Sequence, residues 1–287
     1  MMRRFFRVAA TLLLLSTAVA AQEKEPETWA AYVNRGIERA KKGDLDGAIA
    51  DYDRAIILNP ADASTYTHRG AAKGRKGDLG GALADFNMAI TLDPNDGSAY
   101  YNRGQALYNK GDFDGALNDY NIAISLNPKD TGAYNGRAVI RSKRGDQASA
   151  IADYDKILAI NPNDARAYSN RGIARNATGD PDGAIADYDK AISLNPDDAY
   201  AYNNRGNAKG KKGDYDGAIA DYNKAMSLVK SFPAAIANRG LAELSKGMDR
   251  EAQEDFRKAI DLSARLKPMI EKESAKILEK RKAQQKP

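Results

Sequence analysis

The side chains with most to offer chemistry recur in rows, 34 residues apart. Arginine stands at Arg35, Arg69, Arg103, Arg137, Arg171, Arg205 and Arg239. Aspartate follows at Asp51, Asp85, Asp119, Asp153, Asp187, Asp221 and Asp255. Opposite charges at a fixed offset can pair, and a partly buried pair sets register more than it adds net stability. The rival chemistry is an arginine row presented to an anionic polymer, which the aspartate row would neutralise. A third row is made of amides: Asn34, Asn102, Asn170, Asn204 and Asn238, with His68 and Gly136 in the remaining places. Each asparagine carries donor and acceptor, so such a row can clamp a peptide backbone without reading its sequence. The alternative is a plain polar lining.

None of these rows makes a catalyst. His68 is the single histidine, and no G-x-S-x-G elbow accompanies it. There is no H-E-x-x-H, and Gly70-Ala71-Ala72-Lys73-Gly74-Arg75-Lys76 lacks the spacing of a phosphate loop. The chain has no cysteine, which excludes thiol nucleophiles, disulfides and cysteine-bound metals. The sequence therefore assigns no catalytic residue, cofactor or metal ligand.

The elements that must position these rows follow from the period itself. A fixed repeat of this size means stacked supersecondary units. Positions 1 to 34 are counted from Trp29, Ala63, Gly97, Thr131, Ala165, Ala199 and Pro233. Apolar residues spaced by three and four predict two helices per repeat, near positions 2–14 and 18–31. Gly-Asp between them, as at Gly43-Asp44 and Gly213-Asp214, supplies a left-handed C′ residue and then an N-cap. Pro60, Pro94, Pro128, Pro162 and Pro196 end the second helix. Small residues recur at positions 8, 20 and 27. Rings recur at position 4 (Tyr32 to Tyr202) and position 24 (Tyr52 to Phe256), spaced as a core stripe.

From Trp29 to about Leu266 these residues closely resemble the tetratricopeptide repeat family. That resemblance implies an all-α fold: a right-handed α-solenoid of seven helix-turn-helix repeats with a concave groove. It also implies binding of partner proteins through extended or helical segments, and a groove lined by first-helix positions 2, 5, 6, 9, 12 and 13. Helical geometry puts these positions on one side, away from 4, 8 and 11. The lining then includes Val33 and Ile37 in repeat one, Val139 in repeat four, Ile173 in repeat five and Asn207 in repeat six. In repeat three Tyr101, Gln105 and Tyr108 share a face, and tyrosine is an enriched contact residue, which makes this pair the leading candidate. Lys41, Arg75, Lys143 and Lys211 line one edge. The lysine that a carboxylate-clamp subclass needs at position 5 is replaced by Asn203, so no such clamp is expected.

The ends differ from the repeats. Residues 1–21 have a basic start, an apolar stretch and Ala18-Val19-Ala20, the pattern of a cleaved export signal, and the apolar run is too short to span a membrane. Residues 22–28 read as a linker. The repeats fall at 29–62, 63–96, 97–130, 131–164, 165–198, 199–232 and 233–266. Residues 267–287 read as a capping helix and basic tail, with Met269, Ile270, Ile277 and Leu278 inward and fraying after about Lys280. The alternative is a docking helix. The formal charge of +5 sits mostly in the leader and tail, so no basic face for nucleic acid is expected. The reading is a periplasmic or secreted adaptor for protein or peptide segments. The alternatives are a binder of envelope glycan or another polymer, or a non-catalytic subunit of an envelope complex. If the charged rows pair, reversing Arg103 alone will destabilise the chain, and reversing Asp119 with it will recover stability in urea unfolding.

Overall fold

The computed structural model describes residues 28–284, so the expected leader lies outside the described residues. Among the described residues there are fifteen α-helices, one 3-10 turn and no strand. They are α1 (Trp29–Lys42), α2 (Leu45–Leu58), α3 (Ala63–Lys76), α4 (Leu79–Leu92), α5 (Gly97–Lys110), α6 (Phe113–Leu126), α7 (Thr131–Lys143) and α8 (Gln147–Ile160). They continue as α9 (Ala165–Ala177), α10 (Pro181–Leu194), α11 (Ala199–Lys212), α12 (Tyr215–Leu228), α13 (Pro233–Lys246), α14 (Asp249–Leu262) and α15 (Lys267–Gln284). Second helices start one residue earlier than the periodicity suggests, because the aspartate at position 16 is itself the N-cap. The carboxylate of Asp44 accepts from the Gly47 amide at 2.9 Å, and Asp180 from that of Gly183 at 2.8 Å. The preceding glycines hold φ between 84° and 89° in all seven turns, a conformation that glycine adopts without strain.

The described chain forms two compact units, divided between Ala106 and Leu107. In the first unit, Val33, Ala48, Tyr52, Ala55 and Ala72 make one core cluster, and Ala82, Phe86 and Ala106 another. In the second, the same positions supply Tyr134, Ala150, Tyr154 and Ile157, then Ala184, Tyr188 and Ala208, then Ala218, Tyr222 and Ala242. The position-24 ring is buried in every repeat. It sits where a first helix passes closest: a Cβ on Gly172 would stand 2.8 Å from Tyr188 Cε1. Gly136, the gap in the amide row, has the same cause, since a Cβ there would stand 2.5 Å from Tyr120 Cζ.

The position-4 stripe departs from expectation. Only Tyr134 and Ile236 are buried there; Tyr32, Tyr66, Tyr100, Tyr168 and Tyr202 are half-buried. Each of these half-buried rings has the position-7 guanidinium of its own helix over it, 5.4–5.5 Å from the ring centre. The same cation stands over the buried Tyr134 ring, and Tyr32, Tyr168 and Tyr202 pack against core clusters, so the stripe forms the edge of the core.

At the C-terminal end Ile270 is buried, and Met269 and Ile277 pack against Ile236, Leu244 and Phe256. Leu278, expected inward, is 40% exposed. The helix runs to Gln284, past the expected fraying point, because Arg281 reaches back to Asp249 at 2.5 Å and to the Leu244 carbonyl at 3.2 Å. Repeat seven also lacks a cap: Met248 stands where the other repeats carry aspartate and makes no side-chain bond to its helix. Met248→Asp will therefore stabilise the protein by about 1 kcal/mol, the usual worth of an N-cap, as a higher urea midpoint at unchanged slope.

Candidate functional site

The arginine and aspartate rows meet in space. Arg35 Nη2 lies 2.6 Å from Asp51, and Arg69, Arg137, Arg171 and Arg205 lie 2.6 Å from Asp85, Asp153, Asp187 and Asp221. Arg239 Nε lies 2.7 Å from Asp255. These aspartates are buried, and each arginine donates through two nitrogens, the strong bidentate geometry. Two further rows, less regular than the first two, join them. Position 11 adds a second cation to the same aspartate: Arg39, Lys73, Arg141, Arg175 and Lys209. Position 25 supplies an acceptor to the next repeat's arginine: Asp53 to Arg69, Asn87 to Arg103, Asn121 to Arg137, Asp155 to Arg171, Asp189 to Arg205 and Asn223 to Arg239, all at 2.6–2.7 Å. One guanidinium thus binds its own hairpin and the hairpin before it. The signal for both rows was in the spacing.

The proposed groove residues fall into several groups. Val33 is corrected: it is buried with Tyr52 and Ala72, and Ile37 packs against that cluster. His68 stacks on Tyr52 with ring centres 5.9 Å apart. Burial pushes its pKa down, against the pull of Asp62 and Asp96, so at neutral pH it is a neutral packed ring. Many of the amides serve their own chain. Asn238 donates to Asn203 at 3.1 Å, Asn203 to Asn204 at 3.3 Å, Asn102 to the Ser98 carbonyl at 2.9 Å, and Tyr222 to Asn207 at 2.8 Å. Asn34 is exposed, and Asn170 and Val139 are half-buried. In repeat three Tyr101 and Tyr108 are half-buried and Gln105 is exposed. Tyr108 is held by Lys143, whose ammonium sits 4.7 Å from the ring centre and 2.5 Å from the hydroxyl. The basic edge is likewise tied down: Arg75 caps the Ala40 carbonyl and Lys211 that of Asn176, each at 2.9 Å.

An accessible cleft lies between α9 and α11. It measures about 670 Å³ and is lined by Arg166, Ser169, Asn170 and Ile173 from α9, Tyr200 and Asn204 from α11, and Val229 beyond α12. Ile173 is 44% exposed and Tyr200 67%. Tyr200 is braced edge-on against Phe232, 5.0 Å between centres, so its ring is presented rather than free to turn away. Position 2 was part of the expected lining, yet Tyr200 was not singled out. Its signal was a ring outside the scripted positions 4 and 24. A second cleft of about 490 Å³ lies between α11, α13 and α15, lined by Asn207, Asn238, Leu241, Met269 and Ile277.

Helix pairs repeated every 34 residues in regular packing define an α-solenoid. Profiles of the TPR repeat match residues 36–77, 74–111 and 174–213, and tetratricopeptide repeat profiles match 101–165, 153–186, 199–232 and 233–265. The chain belongs to the tetratricopeptide repeat family. Among solved structures it resembles a tetratricopeptide repeat protein from Parabacteroides merdae, with a TM-score of 0.62 at 24% identity over 88% of this chain and 100% of that one. It resembles MamA from Desulfovibrio magneticus, with a TM-score of 0.56 at 25% identity over 59% of this chain and 96% of that one. YrrB, described as a TPR protein with an unusual peptide-binding site, gives 0.58 at 22% identity over 64% and 95%. No curated protein matches the chain in sequence.

The ladder separates two kinds of aspartate around one arginine. Asp187 is buried and holds both Arg171 and Arg175, whereas the Asp155 side chain is 51% exposed. Asp187→Ala will cost about 1.5–3 kcal/mol, because it removes the charge-assisted bonds that hold Arg171 and Arg175. Asp155→Ala will cost less than about 1 kcal/mol. Urea unfolding of the two variants reads the difference.

Proposed function

We propose that the protein is a non-enzymatic adaptor that holds segments of partner proteins along its first helices, with the cleft between α9 and α11 as the principal contact. The observation that carries this reading is the set Ile173, Tyr200 and Val229, all exposed side by side with the amides of Asn170 and Asn204. Apolar anchors beside donor–acceptor amides suit a segment that buries one or two side chains while its backbone is hydrogen-bonded. A peptide-binding site on YrrB, a protein of this fold, supports the class of ligand. Tyr101 and Gln105 form a secondary patch in this proposal. In this proposal the adaptor works outside the cytoplasm, in the periplasm or as a secreted protein, a reading supported by the signal-like pattern of residues 1–21.

Peptide display on the purified protein tests the reading. The expected result is a consensus with a large apolar anchor. Tyr200→Ala with Ile173→Ala will weaken that peptide at least tenfold at unchanged melting temperature, since both side chains are exposed. Tyr101→Ala with Tyr108→Ala will weaken it less. Unchanged affinity in the first double variant overturns the site. Failure to select any peptide, together with binding to envelope glycan, overturns the adaptor itself.

A further inference from the structure

Position 11 of the charge pattern is neutral in repeat three (Leu107) and carries the opposite charge in repeat seven. Where position 11 carries a cation, that cation lies between 2.7 and 3.0 Å from the buried aspartate. In repeat seven the residue is Glu243, 6% exposed. Its Oε1 stands 3.6 Å from Arg239 Nε, which is already held by Asp255 at 2.7 Å. Its Oε2 is buried without a hydrogen-bond partner. Two buried carboxylates therefore share one guanidinium, where the other pattern gives one carboxylate two cations.

The surroundings do not compensate. On its own helix the charged group facing Glu243 is Arg239. From α14 it meets Asp255, Glu251 and Glu254, all acidic. Arg281 of α15 is engaged by Asp249 and the Leu244 carbonyl. From α12 comes Asn223, neutral and accepting from Arg239.

We propose that Glu243 makes repeat seven a proton-dependent cap: one proton on its carboxyl draws α13 and α14 together, and its loss loosens that pair along with α15. A neutral carboxyl removes the repulsion from Asp255 and lets Arg239 serve a single anion. Burial, reinforced by Asp255 and opposed by Arg239, pushes the Glu243 carboxyl up to about 7 from an ordinary 4.5. The folded repeat thus binds a proton that the unfolded chain releases. The added stability is complete below about pH 4.5 and is lost as pH rises through about 7. The effect reaches α15 because Met269, Ile270 and Ile277 pack on Ile236, Leu244 and Phe256 of the same pair. It therefore bears on the cleft that α15 closes and is independent of the proposed peptide contact at Tyr200.

Hydrogen exchange of the full chain at pH 6 and pH 8, corrected for intrinsic rates, provides the test. Opening of α13–α15 is expected to rise about tenfold across that interval, with α9–α12 unchanged. Glu243→Gln will abolish the rise. Glu243→Lys restores the cation found at Lys73 and Lys209, and will protect α13–α15 at pH 8 at least as well as the native chain at pH 6. Carbon-13 titration of the Glu243 carboxyl will show a midpoint near 7. Equal protection at both pH values, a rise that persists in Glu243→Gln, or a carboxyl midpoint below about 5 overturns the proposal.

Discussion

A buried carboxylate at position 23 is the constraint around which each hairpin is arranged. An isolated ion there would be far too costly to desolvate. It is tolerated because a guanidinium grips it bidentately and, in most repeats, a second cation closes the other side. The same guanidinium sits over the position-4 tyrosine and reaches the acceptor of the preceding repeat. One arginine thereby fixes the helix pair, orients a ring and joins two repeats. The small residues at positions 8 and 20 let the helices approach closely enough for these short bonds.

This arrangement explains what is left for binding. The leading helices keep one side for the ladder and the other for solvent, and much of the polar material on the solvent side is absorbed internally. Asn203, Asn204 and Asn238 form a chain of amides, and Lys143 is wrapped around Tyr108. The accessible apolar surface includes a ring placed outside the repeat's script, Tyr200, which lines one cleft with Ile173 and Val229.

Helix positions, turns and caps were legible in the sequence because each depends on a local rule: glycine for the left-handed turn, aspartate for the cap, a ring every 34 residues for the core. The fold was legible for the same reason. The candidate site was less so. Val33 has the type and spacing of a groove residue, and only the packing of Tyr52 and Ala72 against it shows that it is core. Asn238 and Asn204 looked like open amides, and their partner Asn203 could be found only in three dimensions. Positions 11 and 25 recur less strictly, with Leu107, Glu243 and Arg257 interrupting them, and their role rests on contacts between separate helices.

The bond from each position-7 arginine to the acceptor at position 25 of the preceding repeat has a direction. Every interior unit offers a donor backward and an acceptor forward, as monomers do in a head-to-tail polymer. Whole units inserted between two interior neighbours would find the same valences on both sides. At the last unit the acceptor is replaced by Arg257, which has nothing to offer another arginine. Complementary valences therefore exist at the internal joints and are missing on the far side of repeat seven.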